Sequence, residues 1–187
     1  MNSNLLKLKE RTDALVSSKE KLNKYEEMVK ALNDNSISPK NHVQNFMKLT
    51  KQMEQDEPDK EAIKTQIVSN IKDVKKEIDK VELYIKFYEA FISFLDVSIT
   101  ANNEALPIYE KLTKRRKISQ EYFDIFASLI LDDTSPTEIT NVEVTVLKDK
   151  IKESEKYTEG AKKTLKELQE AQSQLQKIIS LYQKALT

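Results

Sequence analysis

Few residues of this chain have side chains able to do chemistry. His42 is the only histidine, and there is no cysteine. An imidazole–thiolate zinc site, an HExxH hydrolase and a di-iron bundle each need more histidine or cysteine than this. His42 falls where a short helix should begin, and its expected place is the exposed or capping region of that first turn. The single glycine excludes the phosphate loop, the dinucleotide fingerprint and the nucleophile elbow, whose backbones depend on glycine. Carboxylates abound, but 31 acidic residues among 31 basic ones make many incidental pairs. Asp132-Asp133 reads as a turn rather than as an acid–base pair across a cleft. No catalytic residue, metal or cofactor is expected, and the chain reads as a non-enzyme.

Two other constellations stand out. Lys114, Arg115, Arg116 and Lys117 are four consecutive cations. The plain expectation is a solvated basic stretch, balanced by the acidic run from Ser119 to Leu147, which contains no base. The functional alternatives are a phosphate or anionic-lipid contact, or a protein contact by charge complementarity. Four cations fall short of the footprint needed to hold duplex nucleic acid. The second constellation is the apolar stripe Tyr84, Phe87, Phe91 and Phe94, joined by Tyr88. It reads as core, with a face covered by a partner as the alternative. Tyr122, Phe123 and Phe126 are placed to meet it from the following helix.

The elements that must position these residues are helices. Leu5, Leu8, Thr12, Leu15, Leu22, Tyr25, Val29 and Leu32 recur at three–four spacing and predict a helix over 4–32, stopped by Asn33–Ser36. Ser38-Pro39 is a start signal, with serine as N-cap and proline in the first turn. It predicts a helix over 39–54 with Val43, Phe46, Met47 and Met53 on its apolar edge. Glu54, Asp56, Glu57 and Asp59 gather around Pro58, as a helix N-terminus prefers. From Ile63 to Ile99, eleven apolar residues at three–four spacing form a sustained heptad seam over 58–100. Asn102-Asn103 is expected to end that helix. The next covers 104–131 with Pro107 in its first turn and, where the four cations encircle it, a local break near Ile118-Ser119. Ser135-Pro136-Thr137-Glu138 has the form of a capping box and predicts a helix over 136–186. Alternating Val142, Val144 and Val146 suit a strand, but a short strand finds no partner in this chain, so helix is favoured. The last seam runs from Leu147 to Leu186. Gly160 lies inside it, either as a tolerated surface glycine or as a mark of a close helix crossing, a bend or an opening point.

These elements predict an all-α fold, an elongated antiparallel bundle in which two long helices pack in coiled-coil fashion and shorter helices flank them. A single domain over 1–187 is expected. Long seams hold distances and present side faces, so the expected function is a structural or interaction module assembling through its coiled-coil-like helices. A protein partner or a second copy of the chain is expected; nucleic acid and a small-molecule substrate are not. The alternative is a membrane-active bundle, for shaping or pore formation, that meets an anionic membrane through Lys114–Lys117 or through the apolar stretch Tyr84–Thr100. That stretch carries Lys86, Glu89 and Asp96, which makes it a poor membrane span. Met1–Glu20 has no apolar run of signal-peptide length. A cytoplasmic location is expected, with peripheral membrane association under the alternative.

Overall fold

The structure is a computed structural model of the chain and describes residues 3–32, 34–55, 57–132 and 136–186. Five helices follow in order: α1 Ser3–Lys30, α2 Pro39–Met53, α3 Lys60–Leu112, α4 Gln120–Ile130 and α5 Asn141–Lys184. The fold is all-α, with no strand among the described residues. The two long helices, α3 and α5, pack antiparallel. Asn70 Nδ2 donates to the Tyr182 hydroxyl and Gln172 Nε2 to Glu82 Oε1, so residue numbers rise on α3 as they fall on α5. All eleven seam residues of α3 from Ile63 to Ile99 are buried or half-buried. On α5 the seam is inward from Leu147 to Tyr182, and only Leu186 at its end is exposed. The seams are therefore filled from within the chain.

Packing divides the chain into two compact units. One is Met1–Glu26 with Tyr88–Lys163; the other is Glu27–Phe87 with Thr164–Thr187. In the first, α1, α4 and parts of α3 and α5 enclose a core containing Leu8, Ala101, Ala105, Tyr109, Phe126, Leu129 and Leu147. Burying each leucine there contributes about 2 kcal/mol relative to leaving it in water. The Tyr109 hydroxyl donates to the Tyr122 carbonyl at 2.6 Å, and the Phe126 ring stands edge-on to Tyr109 at 5.1 Å. The α4 aromatics thus meet Tyr109. Arg11 grips Glu104 with two parallel bonds of 2.7 and 2.9 Å, a fork geometry that lowers the Glu104 pKa. In the second unit the core gathers Leu49, Ile67, Val74, Val81, Leu168, Leu175 and Tyr182. Phe46 lies edge-on to Tyr182 at 5.1 Å.

Several boundaries differ from those expected. Asn102-Asn103 does not stop α3, which continues through Pro107 to Leu112. Ala101, Asn102, Ala105, Tyr109 and Leu112 all face the core, and that burial outweighs local propensity. Asn102 keeps its amide inside the helix by donating from Nδ2 to the Ser98 carbonyl at 2.8 Å. Pro107 is on the exposed side of the helix, as is Asn103, whose carbonyl has no N–H at Pro107 to accept from. The chain breaks later, over 113–119, so the expected helix over 104–131 is reduced to α4. α4 ends on Leu131 in the left-handed conformation (φ 58°), with the N–H groups of Leu131 and Asp132 both donating to the Ala127 carbonyl. Asp132 opens the turn there, while Asp133 lies outside the described residues.

Helix starts show a similar shift. α3 is capped by Asp59, whose Oδ1 accepts from the Ala62 N–H at 3.0 Å. α5 begins at Asn141 rather than at 136. Its capping box is Thr140 with Glu143. The Val142 N–H donates to Thr140 Oγ1 at 3.2 Å, and the Thr140 N–H donates to Glu143 Oε2 at 3.1 Å. The Thr140 hydroxyl also donates to Glu143, whose pKa is lowered chiefly by that bond. Thr140 and Glu143 have the same spacing as Ser135 and Glu138, five residues further on. Ser135, the expected cap, lies outside the described residues, as do Asn33 and Asp56. Val142–Val146 is helical, as favoured.

Candidate functional site

The four cations do not lie on a helix. Lys114–Lys117 form the connection between α3 and α4, beyond the last turn of α3. The Lys114 and Arg115 N–H groups close that turn on the carbonyls of Lys111 and Leu112. All four side chains are exposed. Arg115, Arg116 and Lys117 line a hollow of about 500 Å³ within the first unit. Thr137, Glu138, Ile139 and Thr140, from the connection between α4 and α5, also line it, with Thr113, Ile118 and Phe123 completing the lining. Two apolar anchors bring the walls together. Ile139 is buried in the core of this unit, and Ile118 packs against the same core.

The charged lining of this hollow is mostly basic. Elsewhere in the first unit Lys9 pairs with Glu121, Arg11 with Glu104 and Lys148 with Glu110. Among the described residues none of Lys114, Arg115, Arg116 and Lys117 forms an ion pair. The acidic run that was to balance them is engaged elsewhere: Glu121 goes to Lys9, Glu143 to Thr140, and Asp124 accepts from Gln120. Glu138 lines the hollow without reaching a cation. Among the described residues the hollow is therefore lined by three cations and one carboxylate. The four cations were legible in the sequence, but around a helix rather than as part of a hollow. The threonine-rich wall was missed, because its position depends on Ile139 being drawn into the core; the Thr140–Glu143 box was the available signal.

The other candidates sit as follows. Along the stripe, Phe94 is buried and Tyr84, Phe87 and Phe91 are half-buried, so it is not an open apolar face. His42 is not exposed. Its side chain is 12% exposed, and its Nε2 lies 2.7 Å from Glu77 Oε2. An ionised carboxylate has only acceptors, so the ring nitrogen donates. Glu77 Oε1 meanwhile accepts from the Ser38 N–H at 2.6 Å. One carboxylate of α3 thus holds the N-cap and first turn of α2, a structural task for His42. On α2 the inward residues are His42, Phe46 and Leu49, while Val43, Met47 and Met53 are exposed, contrary to the expected edge.

Met53, Pro58, Ile63, Ile67 and Leu186 line a second, apolar hollow of about 340 Å³ in the second unit. Among the described residues no three His, Asp or Glu side chains are grouped to hold a metal ion. No described helix is long and apolar enough to cross a membrane. No family model, curated protein or solved structure matches the chain.

Proposed function

We propose that the protein is a non-enzymatic interaction module that associates, through an outer helix face, with another helical protein or with a second copy of itself. The observation that carries this reading is the outward side of α5 in the first unit. Val142, Val146 and Tyr157 are 73, 42 and 51% exposed. At about 100° per residue, they and Gly160 fall within about 60° of one another around the helix. A lone exposed apolar residue is ordinary; here Val142 with Val146, and Tyr157, make two apolar contact points on one face, with the exposed charges Asp149 and Glu153 on the same arc between them. Gly160 adds a point of close approach, since a side-chain carbon there would meet nothing within 4 Å. The seams on α3 and α5 are filled inside the chain, so the outer face takes the role first given to them.

Light scattering at several protein concentrations tests the proposal, with Val146→Glu and Tyr157→Glu as variants. Both positions are exposed, so the variants fold. A mass that rises with concentration in the parent and not in the variants supports self-association. Recovery of a helical protein by the parent alone supports a partner. A concentration-independent monomer that recovers nothing the variants do not also recover overturns the proposal.

A further inference from the structure

We propose that the hollow between Thr113–Ile118 and Thr137–Thr140 binds a phosphate-type dianion carried by a small soluble compound. The inference is independent of the α5 face. It starts from charge left without an internal partner. Arg115, Arg116 and Lys117 converge on one concave surface and make no ion pair among the described residues. The repulsion among three exposed cations is modest in water, but a shared anion relieves it, and guanidinium groups offer paired donors that match phosphate oxygens. Among the described lining residues the three cations and Glu138 sum to a formal +2, which a dianion neutralises. The hydroxyl of Thr137 lies on the same surface and adds a neutral donor.

The shape favours a small compound over a lipid surface. A flat anionic membrane is met by cations on a convex tip, whereas these line a hollow of about 500 Å³, room for a phosphorylated metabolite. Glu138 in the same lining would be repelled by a continuous field of anionic headgroups. The walls are fixed by Ile118 and Ile139 on the core, so the site is organised before a ligand arrives.

The test follows amide chemical shifts of the full chain titrated with inorganic phosphate, against sodium chloride at matched ionic strength. Saturable shifts in both loops, with phosphate only, are expected. The Arg115→Gln/Arg116→Gln/Lys117→Gln variant should lose affinity by about tenfold or more, as for lost charge-assisted hydrogen bonds. Glu138→Gln should bind phosphate more tightly, an outcome that damage to the fold would not produce. Shifts that chloride reproduces, or that never saturate, overturn the site. Binding to phosphatidylserine vesicles without a saturable response to phosphate also overturns it, in favour of a membrane surface.

Discussion

Gly160 lies well inside α5, exposed, with no positive φ and nothing within 4 Å of where a side-chain carbon would stand. A glycine in such a place adds only backbone freedom to the unfolded chain and costs about 1 kcal/mol against alanine. Gly160→Ala should therefore raise the stability of the fold by about 1 kcal/mol, read as a shift in the denaturant midpoint at unchanged slope. No gain, or a loss, would mean that the helix does not run unstrained through this position. The same variant bears on function. If a second helix approaches at Gly160, the more stable protein associates less well, and the two readouts move in opposite directions. The reading of Gly160 as a tolerated surface glycine was available from the sequence. That Gly160 faces outward among the described residues, while Ala161 beside it is buried, needed coordinates, because Gly160-Ala161 looks the same in either setting.

Among the elements, α2 depends most on one residue outside itself. It has 15 residues, a length marginal for an isolated helix. Its N-cap Ser38 makes no side-chain capping bond, and the Ser38 N–H goes instead to Glu77 on α3. Glu77 also accepts from His42, and both side chains are largely buried. Glu77→Ala removes both acceptors and should cost about 2 kcal/mol, the usual scale for hydrogen bonds to a charged group. Hydrogen exchange is expected to quicken in α2 more than along α3. Equal loosening of the two helices would refute a local clamp. The start of α2 was legible in Ser38-Pro39, but its inward face was not. Of the expected edge Phe46 faces inward against Tyr182, whereas Val43 and Met47 are exposed and His42, held by Glu77, and Leu49 take the inward places. The same limit explains α3. Isoleucine and valine at heptad spacing announced its first forty residues, whereas Ala101, Asn102 and Ala105 bury too little apolar surface to register as a seam. The basic loop was misplaced onto a helix for the same reason, since the end of α3 moved with those residues.

At the scale of the whole molecule, each unit buries a phenol in its core. Tyr109 and Tyr182 are both fully buried, and burial raises the pKa of each above the ordinary tyrosine value. A tyrosine is neutral when protonated, so burial favours the protonated form and opposes ionisation while the chain is folded. In the unfolded chain each phenol ionises near pH 10. Below that pH neither state loses a proton, and the contribution to stability is complete. As pH rises beyond it, the unfolded state releases protons first and stability falls, until the folded pKa is passed. Each tyrosine can contribute up to about 1.4 kcal/mol per pH unit to that fall. Denaturant midpoints measured from about pH 8 to about pH 11.5 should be level at first and then decline. Tyr182→Phe should lower stability at neutral pH, since the Asn70 amide loses its 3.0 Å acceptor, yet flatten the alkaline decline. Tyr109→Phe should act in the same way through the loss of its bond to the Tyr122 carbonyl. Ultraviolet titration of the phenols provides the direct check. If Tyr109 and Tyr182 both ionise near pH 10 while the helices remain intact, these two side chains are not held neutral by their cores and the linkage fails.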